Sequence, residues 1–208
     1  HFHLASDIVT KLINLTARAS FLITLFLSTE YLTASDIDYK YETDSVTSLG
    51  DAADDPAIWF NKSNPTQSLI FGTDKRKGIH VYDIYGNELA FGKLGATNNI
   101  DLRVINEDVH LVVSNRTLST LDYWIFPEDN LFDYFKTNAS DPFSEDVMHH
   151  HLKANMNVYG VCMGIIDGKP YAALTEEEGP TIQLWDLTSK LVINSLDISA
   201  DETNVPKS

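Results

Sequence analysis

The sequence predicts an all-β fold, and two observations indicate it. From residue 55 onward, runs of β-branched and aromatic residues alternate with turn signals at a spacing of about ten residues. No helical period is sustained outside the N-terminal region. Such patterns are typical of sandwiches, barrels and propellers. The predicted strands are residues 57–60, 68–73, 79–85, 88–91, 110–114, 120–125, 157–163, 171–174, 181–187 and 191–196.

An internal similarity favours the propeller among these folds. Residues 78–86 (GIHVYDIYG) resemble residues 181–187 (TIQLWDL), because each is an alternating strand that ends on an aromatic residue, an aspartate and an apolar residue. Similar strands about a hundred residues apart are expected at equivalent positions of two blades.

Residues 1–40 differ from the rest of the chain. An apolar run at 21–27 follows Lys11 and Arg18 and precedes the small residues 33–35. This predicts a secretory signal, and therefore a secreted or periplasmic protein. The run is too short for a membrane span, which needs about 20 apolar residues. The alternatives are a stray amphipathic helix or an upstream gene-calling artefact, since the sequence does not begin with Met.

The charge balance excludes two classes of partner. The 208 residues include 15 Lys and Arg against 30 Asp and Glu, a formal net charge of −15. Such a surface repels nucleic acid and anionic membranes. With 43% hydrophobic residues the chain is not a disordered acidic tail. One cysteine, Cys162, excludes an intrachain disulfide.

The sharpest feature is the segment 50–59 (GDAADDPAIW), directly before a predicted strand. Its three carboxylates, Asp51, Asp54 and Asp55, stand within five residues. Crowded carboxylates repel one another unless a cation neutralises them, and hard oxygen ligands suit calcium better than zinc. The alternative, which the acid count alone favours, is a solvated turn with a capping aspartate.

Two further groups of residues accompany this segment. Residues 98–103 (NNIDLR) are again rich in oxygen ligands and lead into a strand, although an Asn-rich turn would look the same. Basic residues stand at 75–77 (KRK) and at Arg116. In so acidic a chain, these cations at strand ends predict anion capture beside a bound metal. The alternative for each is a solvated turn.

Three adjacent histidines, at 149–151, lie in the strand-poor stretch 128–155. A metal site is one interpretation. We expect a structural role instead, because consecutive side chains of an extended segment point to opposite sides and no second ligand cluster stands at a suitable spacing.

Taken in order, these segments resemble the β-propeller phytases, the calcium-dependent alkaline 3-phytases of bacteria. The resemblance rests on residues 50–59, 72–78, 81–82, 98–103, 114–116 and 158–160. It covers about residues 41–196, so residues 1–40 are interpreted as a signal-like or non-family segment and 41–208 as the N-terminal part of the propeller domain.

The resemblance implies a six-bladed propeller, of which roughly two to three blades would be present here. It also implies a calcium-lined phosphate site at one end of the central channel, where metal-activated water attacks phosphorus in line. By position, the residues expected to bind or support calcium are Glu42, Asp54, Asp55, Asn99, Asp101 and Glu178. Those expected to hold substrate phosphates are Lys75, Arg76, Arg116 and Tyr159. For Asp51, a turn-stabilising role is an equal alternative.

Two departures from the family pattern qualify this expectation. Glu177 stands where the family has a phosphate-binding lysine, which should weaken phosphate binding. The chain after residue 40 is also about half as long as the family requires, so we expect a fragment or a prematurely terminated frame.

The sequence therefore predicts a calcium-dependent phosphomonoesterase acting on phytate (myo-inositol hexakisphosphate), here with part of its site, and expected to be monomeric. The alternatives are a non-catalytic β-propeller module that binds calcium and phosphate, or an inactive fragment. Glu177 and the missing later segments favour the alternatives for this isolated chain.

Overall fold

Within residues 40–144 and 147–199, which the computed structural model describes, the chain forms twelve β-strands and one α-helix. The predicted signal-like segment lies outside these residues. The strands are β1 Ala53–Trp59, β2 Leu69–Asp74, β3 Gly78–Asp83, β4 Glu88–Lys93, β5 Thr97–Ile105, β6 Asp108–Asn115, β7 Thr120–Pro127, β8 Met148–Lys153, β9 Val158–Ile166, β10 Lys169–Glu176, β11 Thr181–Asp186 and β12 Leu191–Asp197. Helix α1 is Leu131–Thr137, and a 3-10 helix covers Pro65–Gln67.

The strands form three antiparallel sheets of four, each following the order of the chain: β1 to β4, β5 to β8 and β9 to β12. We call them the first, second and third sheets. Strand β5 contacts β1 on one side and β9 on the other. The first strand of each sheet is thus the inner one, and the sheets lie beside one another as propeller blades do. The all-β, propeller-like prediction is confirmed, with three blades in the described residues.

Two apolar clusters hold the sheets together. One fills the space between the first and second sheets and includes Phe71, Trp124 and Phe135 of α1, each fully buried. The other lies between the second and third sheets and includes Tyr123 and Leu174. Strand β6 is buried along nearly its whole length, because its alternating side chains enter both clusters.

The internal similarity noted in the sequence corresponds to a structural equivalence. Residues 78–86 begin with β3 and residues 181–187 begin with β11, and each of these strands is the third of its sheet. The prediction that they occupy equivalent positions of two blades is confirmed.

Two strands and a helix were not predicted. Strand β5 begins with three polar residues and carries Asp101 and Arg103, so polar residues obscure its alternation. Strand β8 contains the three histidines and has few apolar residues, so the stretch 128–155 is less strand-poor than its composition indicates. Helix α1, at seven residues, is too short to produce a sustained period. Among the described residues, no helix is long and apolar enough to cross a membrane.

Candidate functional site

Each inner strand carries a β-bulge near its N-terminal end. In all three sheets, two residues of the inner strand oppose one residue of the second strand. A bulge bends the strand and redirects its side chains. The opposed sets are Asp54 and Asp55 against Thr73, Asn98 and Asn99 against Ser114, and Tyr159 and Gly160 against Thr175. We call the end of the sheets where these bulges lie the bulged end.

A hydroxyl group closes each bulge. The second bulge residue donates its backbone N–H to the hydroxyl opposite: Asp55 to Thr73 at 3.0 Å, Asn99 to Ser114 at 3.0 Å and Gly160 to Thr175 at 2.8 Å. The N–H that a bulge would leave without a ladder partner is therefore satisfied in every sheet.

The same hydroxyls connect neighbouring sheets. Thr73 Oγ1 donates to the backbone carbonyl of Asn98 at 2.5 Å, and Ser114 Oγ donates to that of Tyr159 at 2.5 Å. Both acceptors are the first bulge residue of the next sheet. Thr73 and Ser114 are almost fully buried, so both hydroxyl groups lie away from water. In the first and second sheets, one hydroxyl thus sets the position of two successive bulges.

The bulges of the first two sheets bring oxygen ligands together. Asp55 Oδ2 accepts hydrogen bonds from Asn99 Nδ2 at 3.0 Å and from the Ile100 N–H at 3.1 Å. Asn98 Nδ2 donates to Asn99 Oδ1 at 2.9 Å. Asn98 is buried, and its Oδ1 atom has no hydrogen-bond partner among the described residues. A buried oxygen without a donor can be satisfied by a water molecule or by a cation.

Cationic side chains lie at the same end, in the turns between the second and third strands. Lys75 Nζ is 3.1 Å from Asp51 Oδ2 and 3.1 Å from Asp54 Oδ1, and the hydrogen bonds to these two carboxylates raise the pKa of Lys75. Lys75 thus bridges the exposed Asp51 and Asp54 of the first bulge. Arg76 follows it and lies beside Gly50, where a Cβ atom would be 3.7 Å from the guanidinium.

Arg116 occupies the equivalent turn of the second sheet, and it forms an ion pair with Glu177 in the turn of the third sheet. Its guanidinium also lies 5.9 Å from the ring centroid of Tyr159. Both charged side chains are about one-third exposed. Glu177, noted in the sequence as a departure, therefore contacts a cation predicted to hold phosphate.

The structure brings most of the predicted site residues to the bulged end. By their positions in the inner strands and the adjoining turns, these are Asp54, Asp55, Asn99, Tyr159, Lys75, Arg76, Arg116 and Glu178. Glu178 adopts a left-handed backbone conformation, with φ of 54°, in the turn after β10.

Glu42 and Asp101 are placed differently. The carbonyl oxygen of Glu42 lies against Gly86, in the turn between β3 and β4 at the opposite end of the first sheet. Asp101 uses both carboxylate oxygens: Oδ1 accepts from Arg103 Nη1 at 2.5 Å, and Oδ2 accepts from the Met163 N–H at 2.8 Å. Asp101 thus joins the second and third sheets. A direct role of either residue in calcium binding stays a prediction.

The closing hydroxyls were missed by the sequence reasoning, as was the unpartnered oxygen of Asn98. A signal for the hydroxyls was present. Each stands first in a repeated tripeptide, hydroxyl residue then Asp, Asn or Glu then a charged residue, at 73–75, 114–116 and 175–177. The tripeptide ends the second strand of each sheet.

The fold and the site together define a class of protein. It is a propeller-like protein with oxygen ligands and cationic side chains side by side at one end of its inner strands, which is an arrangement suited to holding an anion next to a metal ion. The family described as Phytase matches residues 3–180, which is most of the chain. The chain belongs to the phytase family.

Among curated proteins, the chain is similar to the 3-phytase of Bacillus subtilis (strain 168). The two are 48% identical over 62 residues, which is 30% of this chain and 16% of that enzyme. The match therefore spans about one-sixth of the relative's length.

Two solved structures match the chain with low scores. One is the computationally designed Ika8 protein, with a TM-score of 0.39 and 14% identity over 69% of this chain and 36% of that one. The other is a thermostable family-43 glycoside hydrolase, with a TM-score of 0.44 and 12% identity over 72% of this chain and 55% of that one. Neither score is high enough to assign a fold.

Proposed function

We propose that this chain carries part of the active site of a calcium-dependent phosphomonoester hydrolase that releases phosphate from phytate. The observation that supports this is the bulged end, where the oxygen ligands of two inner strands stand beside the cationic turns. Membership of the phytase family and the similarity to a 3-phytase support the choice of substrate.

Calcium fits the residues at the bulged end. The available ligands are carboxylate and amide oxygens, which calcium prefers to nitrogen or sulfur. Asn98 Oδ1 is buried and accepts no hydrogen bond from any residue of the described chain, so it is available as a ligand. Asp54, Asp55 and Asn99 would contribute further oxygens. When bound, calcium ions would neutralise substrate phosphates and activate water for in-line attack.

The chain's own residues would bind and orient the substrate. Arg116 offers a planar fork that matches two phosphate oxygens, and Lys75 and Arg76 offer charge from the neighbouring sheet. Tyr159, 45% exposed beside Arg116, has a hydroxyl that can donate to a phosphate oxygen. A substrate with several phosphates can contact more than one of these turns at once.

The second candidate function is a non-catalytic module that binds calcium and phosphate. The observation that favours it is the ion pair between Arg116 and Glu177. In this pair a carboxylate binds the cationic side chain that is predicted to hold phosphate. The two functions share the same binding residues and differ in whether the phosphoester is cleaved.

The test is phosphate release from phytate, with calcium and with a chelator, for this chain and for the longest reading frame that contains it. Calcium-dependent release by the longer protein is expected. Calcium-dependent binding of phytate without release by either protein would favour the binding module. Absence of both binding and release would contradict the two functions together.

A further inference from the structure

A second group of potential metal ligands lies away from the bulges, on the outer pair of strands of the second sheet. Asp122 of β7 pairs directly with His151 of β8, and Trp124 pairs with His149. Residues two apart in a strand point to the same face. His149 and His151 are therefore on one face with Asp122, whereas His150 points to the other face, towards Tyr123.

The three side chains are close enough to share an ion. One potential ligand atom from each of Asp122, His149 and His151 lies within 4.8 Å of the others. His151 Nδ1 is 2.7 Å from Asp122 Oδ1, and the rings of His149 and His151 are 4.1 Å apart between centroids. Trp124 stacks on His149 at 4.6 Å with an interplanar angle of 7°, which restricts the orientation of that ring.

Asp122 is fixed in place before any ion binds. Its side chain is fully buried, and it accepts hydrogen bonds from Thr120 Oγ1 at 2.6 Å and from Asn115 Nδ2 at 2.9 Å. A buried carboxylate with neutral donors still lacks a full counter-charge. The side chain of His151 is 45% exposed, so the group has access to solvent.

We propose that Asp122, His149 and His151 form a binding site for a divalent transition-metal ion of the zinc class. Two imidazoles and one carboxylate are a common ligand set for such ions, and a solvent molecule completes the coordination. Nitrogen ligands select against calcium, which prefers oxygen. This site thus differs in chemistry from the proposed calcium site of the inner strands, and it does not depend on the proposed function.

Small movements would complete the geometry. Ligand atoms at about 2.0 Å from a tetrahedral ion are about 3.3 Å apart, so the present spread must close by an ångström or so. The ion would replace the proton in the hydrogen bond between Asp122 and His151, and that proton would pass to solvent or to Nε2 of His151. Rotation of the half-exposed His151 provides the movement, while Asp122 and the stacked His149 stay in place.

The site would join β8 to the rest of its sheet. Strand β8 lies at the edge of the second sheet, paired with β7 alone within that sheet. An ion held by one residue of β7 and two of β8 links the edge strand to its neighbour. Because these three ligands come together in the folded chain and not in the unfolded chain, a bound ion would stabilise the folded state.

The experiment measures Zn²⁺ binding to the 208-residue chain by isothermal titration calorimetry, in excess Ca²⁺ so that oxygen-rich sites are filled. Two variants are compared with the wild type. His149→Ala with His151→Ala removes both imidazole ligands, and His150→Ala removes the neighbouring histidine on the opposite face. All other histidines are the same in the three proteins. Thermal unfolding with and without Zn²⁺ supplies a second measurement.

The double variant is expected to weaken Zn²⁺ binding by more than about 10-fold and to lose the Zn²⁺-dependent rise in Tm, whereas His150→Ala keeps both. Wild-type affinity in the double variant would overturn the proposal, and so would an equal loss in His150→Ala. If the double variant does not fold, His151→Ala at the half-exposed position gives the same comparison. Absence of Zn²⁺ binding by the wild type would also overturn the proposal.

Discussion

Arg116 and Glu177 show how a single residue can change a binding site. An ion pair at a partly exposed position is worth about 0.2–1 kcal/mol, because solvent screens it. Phosphate must displace Glu177 before it can use Nη2 of the guanidinium. Glu177 thus competes with the substrate that Arg116 is expected to bind, without removing the capacity to bind it.

Glu177→Gln is therefore expected to tighten phytate binding by about 2- to 5-fold, as the loss of an exposed ion pair implies. Calorimetric titration with phytate in the presence of Ca²⁺ measures it. Asp129→Asn, which removes the same charge from an exposed residue at the opposite end, is the control. Unchanged or weaker binding in Glu177→Gln would show that Arg116 is not the cation in competition.

Arg116→Ala is expected to weaken phytate binding by about 10-fold or more, since a hydrogen bond to a charged group is worth about 1.5–3 kcal/mol. Calcium binding should stay nearly intact, because the Arg116 side chain has no oxygen atom that could bind calcium. Both affinities can be measured on the same preparation. Equal losses of calcium and phytate binding would contradict the assigned role.

Asp74 is a single residue that is expected to make the stability of the fold depend on pH. Burial raises the pKa of Asp74, but the nearby Ser48 hydroxyl, the Arg76 N–H and the charges of His80 and Lys77 more than offset it, so the pKa lies below its usual 3.8. A carboxylate with a lowered pKa in the folded state stabilises that state above the unfolded pKa. The stabilisation is lost as pH falls through the folded value.

The free energy of unfolding of the wild type should therefore fall below pH about 4, and it should fall less steeply in Asp74→Asn. Urea denaturation at a series of acidic pH values measures both slopes. Since Asn removes the charge at every pH, the variant is expected to start from a lower stability. Parallel slopes would show that Asp74 does not contribute to the acid sensitivity.

At the scale of strands and turns, the bulge is the repeated element, and the hydroxyl opposite it is the part that connects the sheets. Ser114 illustrates this. It accepts from the Asn99 N–H and donates to the Tyr159 carbonyl, so one side chain positions a predicted calcium ligand and a predicted phosphate contact. The second bulge residue in the third sheet is Gly160, where a Cβ atom would lie 2.8 Å from Thr175 Oγ1.

Ser114→Ala is expected to cost about 1–3 kcal/mol of unfolding free energy, because the part-buried Asn99 N–H and Tyr159 carbonyl each lose a partner. It should also weaken calcium binding, since the Asn99 backbone loses the hydrogen bond that fixes its bulge, although its side chain keeps its own partners. Ser68→Ala is a matched control, because Ser68 is also buried and accepts from the Asn61 N–H at the opposite end. If the two variants lose similar stability but only Ser114→Ala loses calcium affinity, the positioning role of Ser114 is supported. Equal calcium affinities would contradict it.

These elements also mark how far the sequence could be interpreted. The all-β class followed from strand alternation, which is a local property. The propeller and the equivalence of β3 and β11 followed from the similarity of residues 78–86 and 181–187 and from the family resemblance. Strand β5 was missed because its bulge interrupts the alternation at Asn98 and Asn99. The role of Glu42 depends on where the chain crosses the first sheet, and the face shared by His149 and His151 depends on pairing with β7. Both features depend on contacts between distant segments, so no single segment of the sequence predicts them.

At the scale of the whole molecule, acidic residues exceed basic ones by fifteen, and the carboxylates of Asp51, Asp54 and Asp55 are concentrated at the bulged end. Repulsion within such a surface destabilises the folded state, and a cation that binds the folded state relieves it. Nearby basic side chains supply part of the compensation, as Lys75 does. Asn98 Oδ1 receives no hydrogen bond from the described chain.

Addition of Ca²⁺ to the metal-free chain should therefore raise its Tm by a few degrees, as about 1 kcal/mol of linked binding would. Thermal unfolding followed by circular dichroism measures it. Screening alone would give the same shift with NaCl at equal ionic strength, whereas specific binding gives a larger shift with Ca²⁺. Mg²⁺ is expected to be weaker, because it requires a tighter octahedral site and gives up its water reluctantly. Equal effects of Ca²⁺ and NaCl would mean that the acidic surface is screened rather than bound, and the oxygen ligands of the bulged end would then have no specific cation.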